Sequence, residues 1–303
     1  MAYIIDEAKV LKGNGVEACS IFVKNNKIDF IRENANRFRS LKMNVNSFIV
    51  TPGHVMLDLS LSTSLPFQLF KQHLRTHFLM KGCTTILVIC KIPYENQLIN
   101  ELNKVRGNLV NSPIDYYIGV QISLKTLTPS FVRACKRNKI PVILVEIEHE
   151  DDLFDVQWGW IREALFLYPI VFIPVWQNQI RPKQEQKKLT KIWNHHTSTH
   201  KIPTIVECPQ EGRPLSKEVL TKIGIYPAKG DIRVGGEVDY NLYNQEDQVK
   251  KVAQKAFVDY HNHNPAITVH KGVVIKSGDK IDFRPGFGNE CSVKIPGYFS
   301  APT

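Results

Sequence analysis

Six apolar runs spaced along residues 54–207 constrain this chain more than any other feature: HVMLDLSL (54–61), TTILVIC (84–90), DYYIGVQI (115–122), PVILVEIE (141–148), PIVFIPVW (169–176) and PTIVE (203–207). Most are nearly continuous in apolar character, the mark of strands covered on both faces of a parallel sheet. Helical spacing fills the intervals near 66–81, 95–106, 128–138, 153–166, 181–196 and 215–223. In the first interval Phe67, Phe70, Leu74 and Phe78 recur at helical spacing and Gly82 stops the run. Repeated strand-helix units predict a barrel or a doubly wound sheet. No Gly-x-Gly-x-x-Gly follows the first strand, so dinucleotide binding has no local support.

Both ends of the chain read differently. AYIIDEAKVL, a turn at Gly13-Asn14-Gly15, SIFVKNNKIDFI with its Asn25-Asn26 tip, and SFIV predict a small antiparallel meander. After residue 230, DIRVGG and EVDYNLY return to β character. A polar helical segment at 246–257 follows, and AITVHKGVVIKSGDKIDF turns at Ser277-Gly278-Asp279. The simplest architecture pairs the two ends, 1–52 and 231–303, in one composite antiparallel β-domain around a βα domain at 53–230.

At 303 residues and 43% hydrophobic content the chain can bury a proper core. Asp6 and Glu7 break any signal-peptide character at the N-terminus, and no window is long and apolar enough to span a bilayer, so a cytosolic address is expected. The net charge of +10 is scattered, with one modest cluster at Lys183, Lys187, Lys188 and Lys191 beside Glu185. A solvated basic surface accounts for it, and nucleic acid or another polyanion has only this charge in its favour. The six cysteines show no Cys-x-x-Cys pair. Cys83, Cys90 and Cys208 lie in or beside strand-like runs and are expected as small buried hydrophobes.

Three stretches carry a family resemblance: VTPGHVMLDLSL, FKQHLRTHFLMKGCTTILVI and IGIYPAKGDIRVGGEVDYNLYN, with a weaker fourth in FRPGFGNECSVKIPGYF. Together, and in this order, they resemble the amidohydrolase superfamily, most closely cyclic amidases of the dihydroorotase and dihydropyrimidinase kind. The resemblance implies a TIM-barrel-like βα core beside a composite β-domain, and a metal-dependent hydrolase of C–N bonds in cyclic amides.

The departures from the family pattern bear on function. Where the family has a metal-binding His-x-His, the matching positions are Asp58 and Ser60. A serine hydroxyl is a poor ligand for zinc-like ions at neutral pH. The fourth strand, where the family carries a bridging lysine, has Glu146 and Glu148 on one face and no lysine nearer than Lys139. The fifth ends in Pro174, Val175 and Trp176 where a histidine is expected, and the chain after PTIVE is too short for two further βα units. An incomplete or reduced barrel is therefore expected, its open edge covered by self-association or by a local element such as the helix at 181–196.

Such hydrolases need an ion to bring the pKa of water from 15.7 to about 7. The remaining candidate ligands are Asp58, Glu146, Glu148 and His149. His195, His196 and His200 read as an exposed polar helix end, and His261-x-His263 as a loop. Trp158, Trp160, Phe166, Tyr168 and Phe172 read as core rather than as a ligand pocket.

The expectation is a catalytically degenerate, non-hydrolytic amidohydrolase relative without a cofactor, serving as a binding, regulatory or assembly protein with a protein partner or by self-association. The alternative is a hydrolase with a divalent metal such as zinc on Asp58, Glu146 and Glu148; a polyanion-binding protein is the third reading.

Overall fold

A computed structural model describes residues 2–12, 15–35, 38–176, 183–245 and 263–300. The predicted helical segment at 246–257 lies outside them, as do His261 and Gly13-Asn14. The opening segment forms β1 (Ala2–Lys12), β2 (Gly15–Lys24), β3 (Lys27–Arg32), β4 (Leu41–Asn44) and β5 (Phe48–Pro52). The middle forms β6 (His54–Asp58), α1 (Phe67–His77), β7 (Cys83–Lys91), α2 (Leu98–Leu109), β8 (Asp115–Ser123), α3 (Pro129–Arg137), β9 (Val142–Ile147), α4 (Trp158–Ala164), β10 (Val171–Trp176), α5 (Lys183–Thr199) and α6 (Lys217–Ile223). The closing segment adds β11 (Tyr240–Asn244), β12 (Ile267–His270), β13 (Val273–Ser277) and β14 (Lys280–Ile281).

Both chain ends build one sheet, in which β11 pairs antiparallel with β5 from Tyr240 opposite Pro52 to Asn244 opposite Phe48. The opening segment is not a simple meander. β1, β2 and β3 are antiparallel, but β4 and β5 both run parallel to β1. The chain leaves β3 and crosses to the opposite edge of β1, a route that replaces a tight hairpin with a parallel crossover.

The second sheet is parallel, in the order β10-β9-β8-β7-β6. Its two faces are chemically distinct. Met56, Ile86, Val88, Ile118, Ile143, Val145 and Phe172 pack in one cluster with buried residues of α1 to α5, among them Leu74, Leu102, Phe131, Ile161 and Trp193. All the connecting helices thus share one side, as in a singly wound barrel wall and unlike a doubly wound sheet. The alternate residues Val55, Leu57, Leu87, Ile89, Tyr117, Leu144 and Ile173 face the other way. They are covered by Ile205, Leu215, Leu220, Ile223 and Ile225 from α6 and its flanks, and by Val293 from the tail.

The expected strand at 203–207 does not form. Thr204 makes a single parallel bridge to Phe172, with Phe172 donating to Pro203 and Ile205 donating back to Phe172. Pro203 has no N–H to extend a ladder, and Pro209 follows closely. At the opposite edge Gly212 and Leu215 donate to Leu57 and Val55, laying an antiparallel stub along β6. One connection therefore covers both edges of the parallel sheet with short extended pieces, while α5 packs on the helix side.

Local signals account for the helices. Thr128 caps α3 by accepting from the Phe131 N–H at 3.0 Å, and Ser216 caps α6 by accepting from Val219. Gly82 takes a left-handed φ of 80° that ends the turn after α1. The helix expected at 153–166 is shorter, because residues 150–153 form a separate 3-10 turn held by reciprocal bonds between His149 and Asp152. Cys83 and Cys90 are buried as expected, whereas Cys208 is exposed in the long connection.

Candidate functional site

In a parallel barrel, chemistry gathers at the C-terminal ends of the strands on the inner face. Here that position holds Lys91, Gln121 and Glu146 at the ends of β7, β8 and β9. The Glu146 carboxylate accepts from the Gln121 carboxamide and lies 3.1 Å from the Lys91 ammonium. Glu146 is thus the inward-facing member of the predicted pair. Glu148, past the end of β9, pairs instead with Lys125, which also approaches Asp152 at 3.9 Å.

Asp58 goes elsewhere. It shares strand parity with Met56, on the helix side, and its Oδ2 meets His73 Nε2 of α1 at 2.7 Å. Its Oδ1 accepts from the backbone N–H groups of Ser60 at 2.9 Å and Leu61 at 2.6 Å. β6 ends at Asp58, so Ser60 lies in the turn that this carboxylate organises and not on the strand face expected from its spacing. Ser60 Oγ also sits 3.3 Å from His73 Nε2, the same nitrogen that meets Asp58. A Ser-His-Asp relay needs opposite ring nitrogens for the two partners, so this trio is a turn lock and not a nucleophile.

The three carboxylates expected to share an ion are not brought together: Asp58 faces α1, Glu146 the other side of the sheet, and Glu148 the solvent-exposed Lys125. Nor do the residues at the inner rim suit a divalent ion. The Glu146 oxygen is already engaged by an amide donor and an ammonium, and the neighbouring strand ends offer no imidazole.

The sequence reading missed a second polar constellation, at the N-terminal end of the same face. Lys229, just beyond α6, directs its ammonium to Asp115 at the base of β8 (2.5 Å), to Asp239 (2.9 Å) and to Glu237. Lys271, after β12, lies 2.5 Å from the other Asp115 oxygen, and His270 Nδ1 is 3.0 Å from Asp239. Backbone N–H groups of Asn289 and Lys271 complete the carboxylates. Asp115, Asp239 and His270 are a ligand set by type and proximity. Every carboxylate oxygen among them already receives an N–H or an ammonium, so Lys229 holds the place an ion would take. Burial works to raise the Asp239 carboxyl, but the His270 hydrogen bond and the Lys229 charge outweigh it and hold it well below the usual carboxylate range. Burial likewise opposes the Lys229 charge, and Asp239 and Asp115 reverse that effect and push the ammonium well above its ordinary value. The sequence signal was present: Lys229, Glu237 and Asp239 all fall in the stretch that returns to the β-domain.

Of the histidines expected at an exposed helix end, His195 is exposed and His200 half-buried, but His196 is not exposed. His196 is buried, its ring 4.7 Å from Phe154, and burial lowers its pKa. Of the aromatic group, Trp158, Tyr168 and Phe172 are core, whereas Trp160 and Phe166 are 60% and 71% exposed.

No family model matches the sequence, and no curated protein does. Solved structures do match. A D-hydantoinase crystal structure superimposes with a TM-score of 0.70 at 11% identity, spanning 97% of this chain and 99% of that one. The fold is that of the hydantoinases. The L-hydantoinase (dihydropyrimidinase) from Arthrobacter aurescens gives 0.63 at 10% identity, over 95% of this chain and 99% of that one. The dihydropyrimidinase from Brevibacillus agri NCHU1002 gives 0.62 at 12%, over the whole of both chains. The hydantoinase fold agrees with the cyclic-amidase resemblance carried by the Pro-Gly turn, the Gly-x-Thr-Thr strand and the β-sheet return. Within it, among the described residues, the parallel sheet has five strands and stays open. No helix among the described residues is long and apolar enough to cross a membrane.

Proposed function

We propose that this chain is a non-hydrolytic protein on a hydantoinase fold, working through binding, regulation or assembly with a protein partner. One observation carries the reading: at the C-terminal rim of the inner sheet face, where a βα barrel keeps its active site, Glu146 is tied to Lys91 and Gln121 instead of standing free to hold an ion. A hydrolase of this type needs an ion to activate water and a space beside it for the substrate. The face beneath that rim is packed under Leu215, Leu220, Ile223 and Ile225, and Asp58 organises the turn after β6.

The test is elemental analysis of protein purified without chelators, alongside Glu146→Gln and Asp58→Ala, with hydantoin and dihydrouracil as substrates. The expected result is no stoichiometric zinc, manganese or iron in any of the three and no turnover. Near-stoichiometric metal that disappears in Glu146→Gln, accompanied by ring opening in the parent protein, would replace this reading with that of a carboxylate-based cyclic amidase.

A further inference from the structure

His73 and His77 stand one turn apart on α1, at positions that share a helix face. Their ring centroids lie 4.9 Å apart, with the planes tilted by 40°. Two imidazoles that bind one tetrahedral ion through nitrogens at about 2.0–2.1 Å have centroids about 5.2 Å apart. The pair is therefore close to a chelating separation as it stands. His77 is exposed, so its ring can turn to complete the geometry.

Asp58 prepares the other ring. Its buried carboxylate meets His73 Nε2 at 2.7 Å, so the Nε2 hydrogen is donated there and the neutral ring keeps its lone pair on Nδ1. A carboxylate on the far nitrogen is the usual support of a metal-binding histidine, because it fixes the ring's orientation and raises its basicity. Neither His73 Nδ1 nor the His77 ring has a hydrogen-bond partner among the described residues. We propose that His73 and His77 chelate a divalent first-row ion of the kind imidazole selects, zinc foremost. His73 binds through Nδ1, His77 through a ring nitrogen, and water fills the remaining positions. Asp58 would then have two effects, organising the turn after β6 through Oδ1 and setting the His73 tautomer through Oδ2.

The inference goes beyond the proposed function, because the pair lies on the helix side of the sheet and binds its ion whether or not the rim at Glu146 hydrolyses anything. With two protein ligands where structural zinc sites have four, it should give up its ion during purification without added metal. The test is therefore calorimetric titration of Zn²⁺ into the full-length chain, stripped with a chelator and desalted, near neutral pH. The expected result is one zinc per chain and a thermal midpoint that rises with added zinc, since the ion binds the folded state. Magnesium at the same concentration should do neither. His77→Ala, an exposed change expected to leave metal-free unfolding unaltered, should weaken zinc binding about tenfold or more and abolish the rise in midpoint. His195→Ala, exposed on α5, should alter neither. Absence of zinc binding, equal binding by His77→Ala, or an equal response to magnesium would each overturn the proposal. Zinc binding lost in Glu146→Gln and kept in His77→Ala would move the ion to the rim and overturn the proposed function as well.

Discussion

The Lys229 ammonium lies 2.5 Å from Asp115, joining the segment that leaves α6 to the first residue of β8. Through Asp239 and Glu237 the same ammonium reaches the approach to β11, so one side chain links the parallel sheet to the composite one. Lys229→Met should destabilise the protein by about 3–5 kcal/mol, because it strands buried carboxylates without a countercharge. Urea unfolding at neutral pH measures this, and a loss below about 1 kcal/mol would show the network to be dispensable.

The same network sets limits in pH. The Asp239 carboxyl is held below its ordinary value, so its contribution is present above about pH 4 and lost as pH falls below that. Lys229 is shifted upward, so its contribution is present below about pH 10.4 and lost as pH rises through the folded-state value. His54 adds a second acid-side effect. Burial pushes its imidazole from 6.5 to about 3 while its Nε2 lies 2.7 Å from the Tyr243 hydroxyl. Its folded value lies below the unfolded one, so the stability it confers is complete above 6.5 and drains away as pH falls toward 3. The slope approaches 1.4 kcal/mol per pH unit. His54→Gln should flatten the stability profile between pH 6 and 4, and an unchanged slope there would refute the assignment.

Asp58 should matter to folding rather than to chemistry. Asp58→Ala leaves the buried N–H of Leu61 and the N–H of Ser60 without their acceptor and should cost about 1–3 kcal/mol. His73→Ala, at a half-buried position of α1, should cost less. Thermal unfolding of the two variants gives the order directly.

The regular elements were legible because period and composition agreed. Five of the six apolar runs are parallel strands, and α1 follows the spacing of Phe70 and Leu74. The sixth run failed because hydrophobicity at Ile205 and Val206 does not reveal that Pro203 removes a ladder donor. The candidate site was less legible. Spacing placed Asp58 and Ser60 on one face of a strand, but the strand stops at Asp58, and its parity turns that residue toward α1. Glu146 and Glu148 share one parity, so the sequence could not say which faces inward; only the end of β9 at Ile147 separates them. Lys229, Asp239 and His270 were missed as a group because each is unremarkable locally and only the pairing of β5 with β11 brings them beside Asp115.

Gly288 fixes the tail. A Cβ there would lie 1.9 Å from the Ile114 carbonyl oxygen, while the Gly288 N–H donates to Ser112 and Cys291 donates to Tyr116. Gly288→Ala should detach residues 288–293 from the base of β8 and cost about 1–3 kcal/mol. Hydrogen exchange at Tyr116, whose N–H bonds to Asn289, should speed up in this variant and stay slow if the tail remains seated.

The connection from residue 200 to 225 guards both flanks of the parallel sheet and fills its inner face. Cleavage at the exposed stretch around Glu207 and Gln210 would cut the tether between the two flanking stubs. A single nick there would unmask β6 and β10 together, giving each molecule two adhesive ends, and a chain with two such ends polymerises where a chain with one could only pair.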